Sequence, residues 1–195
     1  MRRNASTVVV LPGPAPAEVL AAVGRSMNVA LIHPAGDDSD GLEAAAGALR
    51  QAGRSTSAYA LVPADPLAAV AASWRAMWDV SRPHEGPAGF EAEALKALTA
   101  WRSGRFELPD YYLILAADGG PGDQGPDFYL GPLRTARPQR VAVVAATEPA
   151  QQAVGVLQVL GSLPYGPWWP DLDQVIDAAR TFYPGQLAER TAVTG

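Results

Sequence analysis

An α/β sandwich is the architecture this sequence predicts, and three observations carry it. From residue 6 to 80, short apolar β-like runs alternate with amphipathic helical stretches, the pattern of parallel βαβ units. Two later runs, Tyr111 to Ala117 (YYLILAA) and Val141 to Ala146 (VAVVAA), are nearly unbroken in apolar character, as expected where helices cover both sheet faces. Hydrophobic residues make up 48% of the 195, enough for a real core and against disorder. The expectation is a single three-layer α/β/α domain over residues 1–195, Rossmann-like or flavodoxin-like, with a polar tail fraying over 184–195. Its sheet is mainly parallel, with about five or six strands.

Each element has its own signal. Thr7 to Leu11 is a β-branched run closed by Pro12-Gly13-Pro14, and Ala17 to Ser26 follows as a helix with Val19, Leu20 and Val23 inward. Asn28 to Ile32 is the second strand. Asp40 and Glu43 form a capping-box-like start for a helix whose apolar face is Leu42, Ala45, Ala46 and Leu49, with Gly53 as its stop. Ser57 to Val62 is the third strand. Asp65-Pro66 supplies an N-cap and first helical position for a stripe of Leu67, Val70, Ala71, Trp74, Met77 and Trp78. Phe90 to Trp101 is a further helix, and the two long apolar runs are the fourth and fifth strands. Glu148 to Leu160 is predicted as a helix, with the alternation in VGVLQVL leaving a strand as the alternative. Asp171 and Gln174 open a last helix using Leu172, Val175, Ile176, Ala179 and Phe182.

One connection breaks the alternation. After Asp118 come about twenty residues dense in Gly and Pro, GGPGDQGPDFYLGPLRTARPQ, and long connections without a helix are often functional. Phe128 to Leu130 reads as a short extra strand, and Gly131-Pro132 argues against a helix there.

Composition excludes several classes. The net charge of −5 argues against nucleic-acid or anionic-membrane partners, which need a basic face. There is no cysteine, so disulfides, thiolate zinc sites, thiol nucleophiles and iron–sulfur clusters are ruled out. The apolar stretch near the N-terminus is only about five residues long, short of a signal peptide, and no run reaches a membrane span. A cytoplasmic location follows as the expectation. Arg outnumbers Lys, with Lys96 alone, as codon usage in a GC-rich genome would give.

In open α/β sheets, ligands bind beyond the carboxyl ends of the strands. Those ends carry Gly13, His33, Asp65, Asp118 and Thr147-Glu148. Asp118 leads as a partly desolvated carboxylate, with His33 or Glu148 as its acid–base assistant if the chain is an enzyme. Gly119, Gly120, Asp123 and Asp127 are the candidate ligand-binding residues around it, with Arg134 as an anion clamp. A turn capped by Asp118, its glycines supplying positive φ, explains the same residues without a ligand. The segment matches neither a P-loop nor a dinucleotide fingerprint. His84-Glu85 lacks the second histidine of a zinc motif, and Asp37, Asp38 and Asp40 miss the EF-hand spacing. No metal or cofactor is expected.

Tyr165, Trp168 and Trp169 lie in the Pro-rich stretch SLPYGPWWPD, where two adjacent indoles cannot easily enter one core. They are the candidate interface residues. Over about the C-terminal half of the chain, the order LILAADGG, RVAVVAATEP, a Trp-Pro turn and a final helix ending FYPG distantly resembles the caspase-like CHAT peptidases. Their His-Gly and Cys are replaced here by Asp118-Gly119 and Ala146-Thr147, which leaves no thiol mechanism. With no recognised catalytic motif, the reading is a non-catalytic binding or assembly module acting through protein contacts, as a homo-oligomer or with a protein partner. The alternative is an enzyme, or a protein binding a small polar or nucleotide-like ligand, built on the Asp118 connection.

Overall fold

The structure is a computed structural model that describes residues 6–13, 15–35, 41–79, 86–115, 127–164 and 166–184. Five strands form one parallel sheet in the order β2-β3-β1-β4-β5: β1 (Thr7–Val10), β2 (Val29–Leu31), β3 (Tyr59–Val62), β4 (Tyr111–Leu115) and β5 (Val141–Val144). The register runs Val10↔Val62 between β1 and β3, Val10↔Tyr112 between β1 and β4, and Tyr112↔Val141 between β4 and β5. The helices are α1 (Ala17–Gly24), α2 (Gly41–Ala52), α3 (Ala68–Met77), α4 (Pro87–Arg102), the three-residue α5 (Arg134–Ala136), α6 (Pro149–Gly161) and α7 (Leu172–Thr181). The expected three-layer sandwich is what forms. None of the described helices is long and apolar enough to cross a membrane.

Strand side chains alternate between two apolar layers. Val8, Val10, Ala60, Val62, Tyr112 and Ile114 face a large layer shared with α2, α3, α4, α7 and the segment around Phe128 to Leu133. Val9, Leu11, Leu61, Leu113 and Val144 face a smaller layer closed by α1 and α6. The large layer centres on Trp74 of α3, which is fully buried. Its ring meets Phe128 edge-on at 5.9 Å, and its indole N–H donates to the Ala179 carbonyl of α7 at 2.8 Å. A buried indole needs that acceptor, so the bond fixes α7 against α3 as well as filling space. Gly104, at φ +71°, takes the left-handed position that closes α4.

Two sequence expectations change at the long connection. Phe128 to Leu130 is not a strand, and Pro132 sits inside a helix: Tyr129–Leu133 forms a π-helical turn that runs directly into α5. The wider turn accommodates a proline because the missing N–H and the ring no longer conflict with an i→i+4 ladder. Gly131 is required by packing, since a β-carbon there would stand 2.7 Å from the Phe182 ring. VGVLQVL lies within α6 as a helix, and its strand alternative falls away.

Candidate interaction surface

The strand order decides which strand-end groups can meet. His33 follows β2 and Glu148 follows β5, the two opposite edges of the sheet. Four inter-strand spacings of about 4.8 Å separate those strands, so the two side chains are not brought to one site. Both are exposed. Glu148 occupies the N-cap position of α6, where its carbonyl accepts the Gln152 N–H at 2.8 Å. Asp118, Gly119, Gly120, Asp123 and Tyr165 lie outside the described residues, as do Asp37, Asp38, Asp40, His84 and Glu85. Asp127 is half-buried where the helical segment resumes. Arg134 is exposed in α5, two turns further on, at the end of the segment that leads back to the start of β5. Among the described residues, no cluster of three or more His, Asp or Glu could hold a metal ion.

The carboxylate that the fold does bury is Asp65. One oxygen accepts the Leu67 N–H and the Tyr112 hydroxyl, each at 3.0 Å; the other accepts the Tyr129 hydroxyl at 2.5 Å. Burial raises the Asp65 pKa, and the three donors pull the other way. Burial also holds both tyrosines well above the ordinary phenol range, with the Asp65 charge adding to it. Asp65 is not the N-cap of α3 that its sequence position suggests, since the helix begins at Ala68 with Leu67 as its N-cap; its side chain instead holds the turn that leads into the helix and binds β3, β4 and the π-helical turn together. The clue available in the sequence was Tyr112 itself: a hydroxyl in the middle of a buried strand has to find an acceptor.

The Trp loop sits at the opposite end of the sheet from the strand-end groups. Trp169 turns inward, donating its indole N–H to the Pro109 carbonyl at 2.8 Å and meeting Tyr112 edge-on at 5.7 Å. Trp168 turns outward, 44% exposed, and stacks on the Arg140 guanidinium at 4.2 Å. Arg140 is itself buried. It lies over the Tyr111 ring at 4.7 Å and donates to the carbonyls of Gly166 at 2.7 Å and Pro167 at 3.3 Å. Arg137 donates to the Trp168 carbonyl at 2.6 Å, and the Tyr111 hydroxyl donates to the Pro164 carbonyl. Pro109, Tyr111 and Arg140 all stand where β4 and β5 begin, so this loop is clamped beneath the sheet. The two adjacent indoles divide as their chemistry requires, one to the core and one to the surface.

The least explained surface is the β5 edge with α6. Among the described residues β5 is the last strand on its side, and Val143, on the sheet face opposite Val144, is 38% exposed. On α6, Val154 and Leu157 are 55% and 38% exposed. Beside them runs an open groove of about 550 Å³, lined by Val143, Val144, Ala146, Val154, Gly155 and Gln158 among others. Gly155 lets α6 lie close on the strand, because a β-carbon there would stand 2.6 Å from Val144 Cγ1. The whole region is uncharged to an unusual degree. Residues 149–170 contain no Asp, Glu, Lys or Arg, although charged residues are 18% of the chain. A solvated helix normally carries charge on its outer face; α6 offers alanine, glutamine, valine and leucine instead. Much of the chain's charge deficit thus falls on one helix and the loop that follows it.

Fold and surface together define a parallel α/β sandwich in which, among the described residues, the β5 edge is unpaired, apolar and uncharged. No protein family, curated protein or solved structure matches the chain.

Proposed function

We propose that this chain is a non-catalytic assembly module that works through protein contacts, self-association being the favoured form. The observation that carries the reading is the uncharged β5–α6 face. Apolar side chains standing in water beside an open strand edge are the composition of a contact surface, and charge depletion is what distinguishes the centre of such surfaces from ordinary exterior. The groove supports a protein contact more than a polar small molecule. Its lining is aliphatic, and the polar side chains on it are glutamines with no charged or titratable group among them.

The test is molar mass by light scattering on the full chain and on Val154→Glu and Leu157→Glu. The expected result is an assembly larger than the 20.4 kDa monomer for the wild type and a return to monomer mass in both variants. Both positions are exposed, so an added carboxylate is tolerated by the fold and penalised at a contact. Wild type at monomer mass up to high micromolar concentration overturns self-association.

A further inference from the structure

Building on the self-association reading, we propose that a second copy of this chain pairs its β5 edge antiparallel with the first, across a two-fold axis normal to the sheet. The two five-stranded sheets then become one continuous sheet, and the two α6 helices lie side by side on the same face.

The strand comes first. Edge strands of natural sheets are usually defended by charge, proline, a bulge or a covering segment. Val141, Ala142, Val143 and Val144 contain no charge and no proline, and all four pair in unbroken register with β4. Among the described residues no strand pairs with the outer side of β5. The opposite edge, β2, is only three residues long. Backbone donors and acceptors on an open edge favour another strand over any other occupant.

The helices say which strand. Among the described residues the larger apolar layer is closed by α2, α3, α4 and α7 together with the π-helical segment, and the smaller by just two helices, α1 and α6. Helices pack about 8–10 Å apart and strands about 4.8 Å apart, so two helices cover about four strands and leave the fifth short of cover. The groove beside Val144, Val154 and Gly155 is that shortfall. Antiparallel pairing about an axis normal to the sheet keeps each face on its own side. It therefore places the second copy's α6 next to the first, on the face that lacks a third helix. Val154 and Leu157 of both copies then face across the axis.

Charge argues for a like partner. Two copies of a chain carrying −5 repel one another, so they can touch only where acid is absent. From residue 141 to 170 the sole charged residue is Glu148. A face without charge has no sign with which to select an oppositely charged partner, whereas an isologous contact needs only to match itself.

The absence of cysteine makes the geometry directly testable, since any disulfide in a single-cysteine variant must join two copies. In antiparallel pairing about such an axis one residue faces its own counterpart. The separation is about 4.5–5.5 Å between α-carbons, within reach of a disulfide. Ala142→Cys, Val143→Cys, Leu157→Cys and the control Met27→Cys, at a 98% exposed position, are each oxidised with diamide and read on non-reducing gels, with molar mass measured in parallel. The expected result is a doubled mass and a cross-link at Ala142→Cys or Val143→Cys forming at least tenfold faster than in the control. A doubled mass with neither strand variant cross-linking above the control overturns the strand pairing while leaving self-association standing; Leu157→Cys then reports whether the helices alone make the contact. Monomer mass with no cross-link above the control at any position overturns both.

Discussion

At the scale of single residues, Asp65 is the group whose loss should be felt most. Three donors from three parts of the chain converge on it, and all are buried. Asp65→Ala leaves two phenol hydroxyls and an amide without an acceptor, and is expected to cost about 3 kcal/mol in urea unfolding. Removing Tyr129's hydroxyl from that variant (Tyr129→Phe) should then cost less than the same change in the wild type, because the hydroxyl no longer has a partner to lose. The tyrosines also set an alkaline limit. Their pKa values are raised in the folded state, so in the window above the ordinary phenol value near 10 the unfolded chain releases protons that the folded chain keeps. Their contribution is complete below that value and is lost as pH climbs through it. Spectrophotometric titration should show Tyr112 and Tyr129 ionising only as the protein unfolds. Asp65 carries the same sign in the acid range: with its pKa raised by burial, its ionisation favours the unfolded chain as pH rises from the ordinary Asp value. The Arg180–Glu91 pair between α7 and α4, at 2.6 Å, is by contrast exposed on both sides and worth less than ~1 kcal/mol.

At the scale of elements, legibility followed periodicity. All five strands and every long helix stand close to where the apolar pattern places them, because period two and period 3.6 are imposed by burial itself. The π-helical turn was hidden because it breaks a local rule with non-local support. Pro132 reads as a helix breaker in any window, and only Phe182, fifty residues later, shows why glycine precedes it. Gly131→Ala should therefore cost about 1–3 kcal/mol by forcing that ring aside, where a helical glycine in open space would gain from the same change. The strand-end groups were legible as a set but not as neighbours. Strand order is a tertiary choice, and it sends His33 and Glu148 to opposite edges. For the same reason the indole pair could be divided into one inward and one outward residue, but not placed beneath the sheet rather than above it.

At the scale of the whole molecule, the assembly proposed here has an inverted response to salt. Complexes drawn together by opposite charges weaken as ions screen them. Two acidic copies meeting through a neutral face should instead tighten, since the screened term is repulsion. Sedimentation between about 50 and 500 mM NaCl, a range over which the screening length falls from above 10 Å to below 5 Å, should show the monomer fraction falling; a rising fraction would mean that the contact is made by charged residues elsewhere. The position of β5 has a temporal consequence as well. Of the five described strands it is the last to leave the ribosome, so until residue 141 emerges the growing sheet ends at β4, whose uncharged Tyr-Tyr-Leu-Ile-Leu run is then an open edge one residue longer than β5. A chain truncated before residue 141 should therefore aggregate more readily than the full chain, because the fifth strand covers that edge.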